Sequence, residues 1–175
     1  MRTRGALLFA ALTGCLAAPG SEPAEDQDAA PGTRDAGPTC DDLLPGVDVR
    51  ENPDNGHCYF VTEPDLFQPV AIEECGALGA HLVQVADQDE ADFVVEKFVA
   101  GAASQWIGLM RDGAAWRWVT GEPLGDWSDF EVAQTGDGDC VELFTDPADC
   151  ADGCWNDLEC EGHSKSGVCE IDRRP

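Results

Sequence analysis

Nine cysteines stand in a chain of 175 residues, and eight of them fall between Cys40 and Cys169. No other feature limits the possible folds as sharply. A reduced cytosolic protein keeps that many thiols only around metal, whereas an exported protein closes them in pairs. Eight is even, so four disulfides can form from residue 40 onward. Spacing alone leaves roughly a hundred ways to connect them. One rival exists, because Cys150, Cys154, Cys160 and His163 are close enough in sequence for a zinc site of three thiolates and an imidazole. Export decides against it, and such a cluster would strand the pairing of the remaining cysteines.

The ninth cysteine, Cys15, has its own context. Arg2 and Arg4 form a basic start, and Ala6 to Leu12 is an apolar run too short to span a bilayer. The Leu12-Thr13-Gly14-Cys15 segment that follows resembles the bacterial lipobox. The resemblance implies that residues 1–14 are a lipoprotein signal peptide and that Cys15 is cut free and acylated. Each buried methylene contributes about 0.8 kcal/mol of membrane affinity, so two or three chains anchor firmly. Leu16 after the cysteine resembles cargo sorted to an outer membrane. Residues 16–39 hold Ala, Pro, Gly and acids without apolar periodicity, which predicts a flexible tether averaging roughly 25–30 Å. The expected organisation is therefore 1–14 signal, 15–39 lipidated cysteine and tether, 40–172 domain and 173–175 tail. The lipid is the only membrane contact expected, at the bacterial cell envelope.

Charge narrows the partners. Asp and Glu number 35 against 10 Lys and Arg, a formal −25, which argues against nucleic acid and against an anionic membrane surface. Apolar residues make up 43%, enough for a packed core. Within 40–172, Cys58 to Val61 reads as a short strand. After Pro69, Val70, Ile72, Cys75, Leu78 and Leu82 suit an amphipathic helix that two glycines weaken. Asp87 with Glu90 predicts a capping-box-like start to a second helix, whose buried face is Phe93, Val94, Phe98 and Val99. Gln105–Met110 and Ala115–Thr120 are strand-like about an Arg111-Asp112-Gly113 turn. A long polar stretch, 121–154, shows little periodicity beyond Val141-Glu142-Leu143. Trp155–Cys160 and Gly167–Ile171 read as closing strands.

These residues carry a resemblance. Trp106-Ile107-Gly108-Leu109, then Trp116-x-Trp118-Val119-Thr120-Gly121-Glu122-Pro123-Leu124 with Trp127, then Trp155-Asn156-Asp157, occur in the order found in C-type lectin-like domains. Cys75, Cys140, Cys160 and Cys169 fall at the family's four framework positions. The resemblance covers essentially all of 40–172. It implies an α+β double-looped fold with two helices, two small antiparallel sheets and a long excursion loop. It also implies the pairs Cys75–Cys169, Cys140–Cys160 and Cys40–Cys58, leaving Cys150–Cys154 as a clip inside the loop.

In sugar-binding members of that family, a loop calcium held by side-chain oxygens coordinates sugar hydroxyls. The matching ligands here are Asn156 and Asp157, with Glu131 and the neighbouring Asp137 and Asp139. The family's Glu-Pro-Asn triplet falls on Glu131-Val132-Ala133, which lacks the amide, and its acid two before the framework cysteine falls on Gly138. Calcium would offset repulsion among Asp137, Asp139 and Asp157, with binding expected in the roughly 10⁻⁴–10⁻³ M range of extracellular modules. A peripheral calcium would draw on the Val85 carbonyl, Glu90 and Glu170. Trp106, Trp118 and Trp155 are expected in the core and Trp127 as a loop anchor. His57, His81 and His163 stand in no catalytic motif, and no organic cofactor is expected. The resemblance implies a binding module rather than an enzyme. It would be an envelope-anchored carbohydrate binder assisted by calcium, or alternatively a metal-independent reader of a protein or surface polymer.

Overall fold

Pro69, in the first helical turn, opens a helix that stops sooner than its apolar spacing predicts. The computed structural model describes residues 37–99, 104–131, 136, 138–146, 148 and 150–173. The signal segment, Cys15, most of the tether, Val132, Ala133 and Asp137 lie outside that set. A short helix α1 (Cys40–Leu43) is capped by Thr39, whose side chain accepts from the Asp42 amide while the Asp42 carboxylate accepts from the Thr39 amide. Strands β1 (Arg50–Glu51) and β2 (Cys58–Val61) form a hairpin. Helix α2 runs Gln68–Ala77. Gly79, at φ 75°, takes the chain out of it.

The face that α2 buries corrects the expected stripe. Gln68, Ala71 and Cys75 are fully buried, whereas Val70 and Leu78 are each 44% exposed. The amide of Gln68 explains the shift: its Nε2 donates to the carbonyls of Ile107 at 2.8 Å and Leu109 at 3.2 Å. A polar side chain thus docks the helix on a strand where an apolar one was expected.

Strand β3 (His81–Leu82) leads to helix α3 (Gln88–Val94), which continues as a π-helical turn over Val95–Val99. Asp87 caps α3 as expected, accepting from the Glu90 amide at 3.0 Å. The Glu90 side chain reaches the Ala86 amide, one residue before the cap. Val94 and Val99 are fully buried, with Phe93 and Phe98 packed beside them. Strands β4 (Ser104–Asp112), β5 (Ala115–Trp118), β6 (Cys140–Asp146), β7 (Cys150–Leu158) and β8 (Val168–Ile171) complete the order.

Two antiparallel sheets result, ordered β1-β2-β8-β3 and β5-β4-β6-β7. This is the double-looped α+β arrangement that the resemblance implies. Trp106 and Trp155 are fully buried and Trp118 is 3% exposed, so the three indoles belong to the core as expected. All four expected disulfides are formed: Cys40–Cys58, Cys75–Cys169, Cys140–Cys160 and Cys150–Cys154. Cys150, Cys154 and Cys160 are therefore committed to sulfur, not zinc. The Cys150–Cys154 bridge lies within β7, next to its hairpin partner β6, and not in irregular loop. Among the described residues, no helix is long and apolar enough to cross a membrane.

Candidate functional site

Strand β7 carries the Trp155-Asn156-Asp157 segment through the second sheet, and alternation sends its side chains to opposite faces. Trp155 points into the core, edge-on to Trp118, Trp127 and Phe130 at 5.7, 5.2 and 5.5 Å between ring centroids. Trp127 and Phe130 thereby pin the start of the excursion loop. Backbone bonds finish the job: the Trp155 amide donates to the Asp129 carbonyl at 2.8 Å, and the Glu131 amide to the Trp155 carbonyl at 3.2 Å.

Asp157 holds the loop's other end. Its Oδ1 accepts from the Gly136 amide at 2.9 Å and its Oδ2 from the Gly138 amide at 3.2 Å. The side chain is 2% exposed and lies 3.9 Å from the Arg111 guanidinium. Arg111 in turn donates to the Gly138 carbonyl and lies over the Trp116 ring at 4.2 Å. Gly138 has no room for anything larger, since a Cβ there would meet the Leu158 amide nitrogen at 2.3 Å. The family's acid at this position is therefore replaced by backbone. Asp139 lies 4.0 Å from Arg111 with a 69% exposed side chain.

Asn156 joins a different cluster. Directly across the ladder from Glu142, its Nδ2 donates to Glu142 Oε1 at 2.8 Å. Lys165 Nζ donates to the other Glu142 oxygen at 2.6 Å and lies 4.4 Å over the Trp106 ring. Burial pushes the Glu142 carboxyl up, but hydrogen bonds from Lys165, Ser104 and Asn156 outweigh it and hold the group below its ordinary value.

The structure thus parts Asn156 from Asp157: Arg111 faces Asp157, and Asn156 shares Glu142 with Lys165. Among the described residues, Glu131, Asp139 and Asp157 do not gather with oxygens within 4.8 Å of one another. Calcium asks for about six to eight oxygens, and among the described residues these three carboxylates do not come together to supply them. The repulsion that calcium was expected to relieve at Asp157 is already offset by Arg111 and two amides. Asp137 lies outside the described residues. Sequence reasoning missed Arg111 and Lys165, and nothing local marks them. The one available signal was scarcity: with 10 basic residues against 35 acids, a cation beside a buried acid is a strong preference.

A second polar cluster sits on the first sheet. Glu90 and Glu170 do converge there, on the hydroxyl of Tyr59, which donates to Glu90 Oε1 at 2.5 Å and lies 3.3 Å from Glu170 Oε1. Burial, then the Glu170 charge, pushes the Glu90 carboxyl up to about 7. Burial, then the charges of Glu170 and Glu90, raises Tyr59 as well. Glu90 Oε2 accepts from the Ala86 amide, Glu170 Oε2 from the Gln84 amide, and His57 Nδ1 stands 2.6 Å from Glu170 Oε1. Both carboxylates thus already accept backbone amides, and the nearest further ligand is an imidazole nitrogen, which calcium's preference for oxygen does not favour.

Comparison with known proteins agrees with the fold. The family model of the lectin C-type domain matches residues 69–171. The mouse CD209 antigen-like protein D is 34% identical over 114 residues, 61% of this chain and 45% of that protein. Rat asialoglycoprotein receptor 2 is 30% identical over 116 residues, 61% of this chain and 36% of that protein. The solved C-type lectin domain of murine dendritic cell inhibitory receptor 2, in complex with N-glycan, is 28% identical with a TM-score of 0.58, covering 67% of this chain and 91% of that one. The chain spans less than half the length of these two curated relatives.

Proposed function

This chain belongs to the lectin C-type domain family, and from that premise we propose that it is a carbohydrate-binding module displayed from a bacterial envelope on a lipid anchor at Cys15. The observation that carries the reading is the placement of Asn156 and Asp157 on β7, beside an excursion loop stapled by Trp127, Phe130 and Asp157. That is where the family's sugar-reading motif falls. A similar domain was solved with an N-glycan, which supports glycan as the ligand class. The chemistry on offer is binding: the partly exposed Asn156 carries an amide of the kind that pairs with sugar hydroxyls, while the buried Asp157 holds the loop beside it.

A specific observation favours a metal-independent mode. Arg111 balances Asp157, and Lys165 balances Glu142 beside Asn156. Charge that calcium would neutralise is met by side chains, so recognition rests on directional hydrogen bonds. The test is a glycan array probed with the full chain, once in calcium and once in chelator. A defined subset of glycans bound equally in both is expected, with Asn156→Ala weakening it. Binding in calcium alone would overturn the metal-independent mode and leave glycan binding standing. No glycan bound in either condition would overturn the carbohydrate reading, and recognition of a protein or non-sugar polymer would take its place.

A further inference from the structure

The first sheet presents chemistry that the loop does not use. Register places Tyr59 and His81 directly opposite Glu170, one on each side of β8. Residues across a ladder share a face, and so do residues two apart along a strand. His57 and Asp172, just outside the ends of β2 and β8, therefore join Glu170 on one face. The distances bear this out: His57 Nδ1 lies 2.6 Å from Glu170 Oε1 and 3.7 Å from Asp172 Oδ1. One ligand atom from each of the three lies within 4.8 Å of the others, and among the described residues this is the one such group of three.

His81 adds an independent observation. Its Nδ1 lies 2.9 Å from the Leu82 carbonyl. A carbonyl only accepts, so Nδ1 carries the proton. Nε2 is buried without a hydrogen-bond partner, yet it lies 3.5 Å from Asp172 Oδ2. A neutral imidazole would aim a lone pair at a carboxylate oxygen, a contact that a metal cation beside them, or a second proton on the ring, relieves. The surrounding cleft, about 590 Å³, is lined by Asp54, Asp87, Asp89 and Glu122 as well, and by no Lys or Arg.

We propose that His57, Glu170 and Asp172 form a binding site for a divalent transition-metal cation of the zinc type, with His81 positioning Asp172. One imidazole and two carboxylates match the ligand chemistry of zinc, with room for water in the fourth position. The same set is poor for calcium, which prefers oxygen throughout. Glu170 is fixed for the role, since its second oxygen is held by the Gln84 amide at 3.0 Å. The site owes nothing to the excursion loop and stands whether or not a glycan binds there.

The test strips the full chain with a chelator, then titrates zinc by calorimetry and cobalt by visible absorption. One equivalent should bind, with cobalt giving the intense bands of low-coordinate geometry. H57Q and D172N, both at partly exposed side chains, should each weaken zinc by more than about tenfold. H81Q should weaken it by about tenfold, as loss of a supporting partner does, while H163Q, at an exposed residue, should change nothing. The chain has three histidines, so imidazole NMR on the wild type gives a reading that no variant's folding can spoil. Zinc should move the His57 and His81 signals and leave His163. Unmoved signals at His57, zinc uptake indifferent to H57Q and D172N, or calcium outcompeting zinc would each overturn the proposal.

Discussion

At the scale of single residues, Asp157 is the side chain on which the second sheet and the loop depend together. It is nearly inaccessible, faces Arg111, and satisfies two amides that would otherwise be stranded. Arg111, a third exposed, stays hydrated when Asp157 is removed, so the cost is that of the unsatisfied loop amides, about 1–3 kcal/mol. Asp157→Ala should lose most of that in urea unfolding, and Asp157→Asn less, since its amide oxygen still accepts one bond. Both losses should appear fully in chelator. If either variant is as stable as wild type without calcium, Asp157 is not the strut described above. The residue pair Asn156-Asp157 is legible in the sequence as a site. Its partners are not, because Arg111 and Lys165 approach from β4 and from the segment before β8, and no local spacing encodes such an approach. Gly138 is a clearer case: as a letter it reads as a missing carboxylate, and only the close approach of Leu158 shows why nothing else fits.

At the scale of elements, sequence patterns located strands better than helices. The WIGL run and the Trp116–Trp118 run became β4 and β5 nearly as read. Helix α2 was legible in position, and Cys75 is buried as expected, yet Val70 and Leu78 are not, because Gln68 makes tertiary hydrogen bonds that periodicity does not weigh. The polar stretch before Trp155 concealed most of β6 and the first half of β7. Strand β6 is buried continuously from Cys140 to Leu143, Glu142 included, and the first half of β7 mixes buried Cys150 and Gly153 with exposed Ala151 and Asp152, so neither shows the period of two that marks a half-buried strand. Disulfides divide the elements unequally. Cys75–Cys169 spans 94 residues, tying α2 to β8, whereas Cys150–Cys154 spans 4 within one strand. Chain entropy assigns about 4–5 kcal/mol to the first and about 2 to the second. The double variant Cys75→Ala/Cys169→Ala should therefore lower unfolding free energy about twice as far as Cys150→Ala/Cys154→Ala. Equal losses would mean that the clip stabilises the native β6–β7 hairpin rather than restricting the unfolded chain.

At the scale of the whole molecule, the proposed anchor would have to keep an acidic domain at a surface that does not attract it. A net charge of −25 repels anionic lipid headgroups within a Debye length of about 8 Å at physiological salt. Electrostatics cannot retain the domain there, so retention falls to hydrocarbon. One acyl chain gives only marginal, reversible binding, with an association constant of about 10⁴ M⁻¹, and stable anchoring takes two or more. On the proposed reading, Cys15 in the Leu12-Thr13-Gly14-Cys15 segment would carry such chains, and a coil of the length of 16–39, roughly 25–30 Å, would hold the domain outside the repulsive layer. The expected outcome is that the native chain partitions into the detergent phase on phase separation and that Cys15→Ser does not, emerging soluble or accumulating as uncut precursor. High salt should not release the wild type, because no ion pairs hold it. Recovery of unmodified, processed chain from the soluble periplasm of wild-type cells would dismiss the anchor, and the leader would then be an ordinary secretory signal.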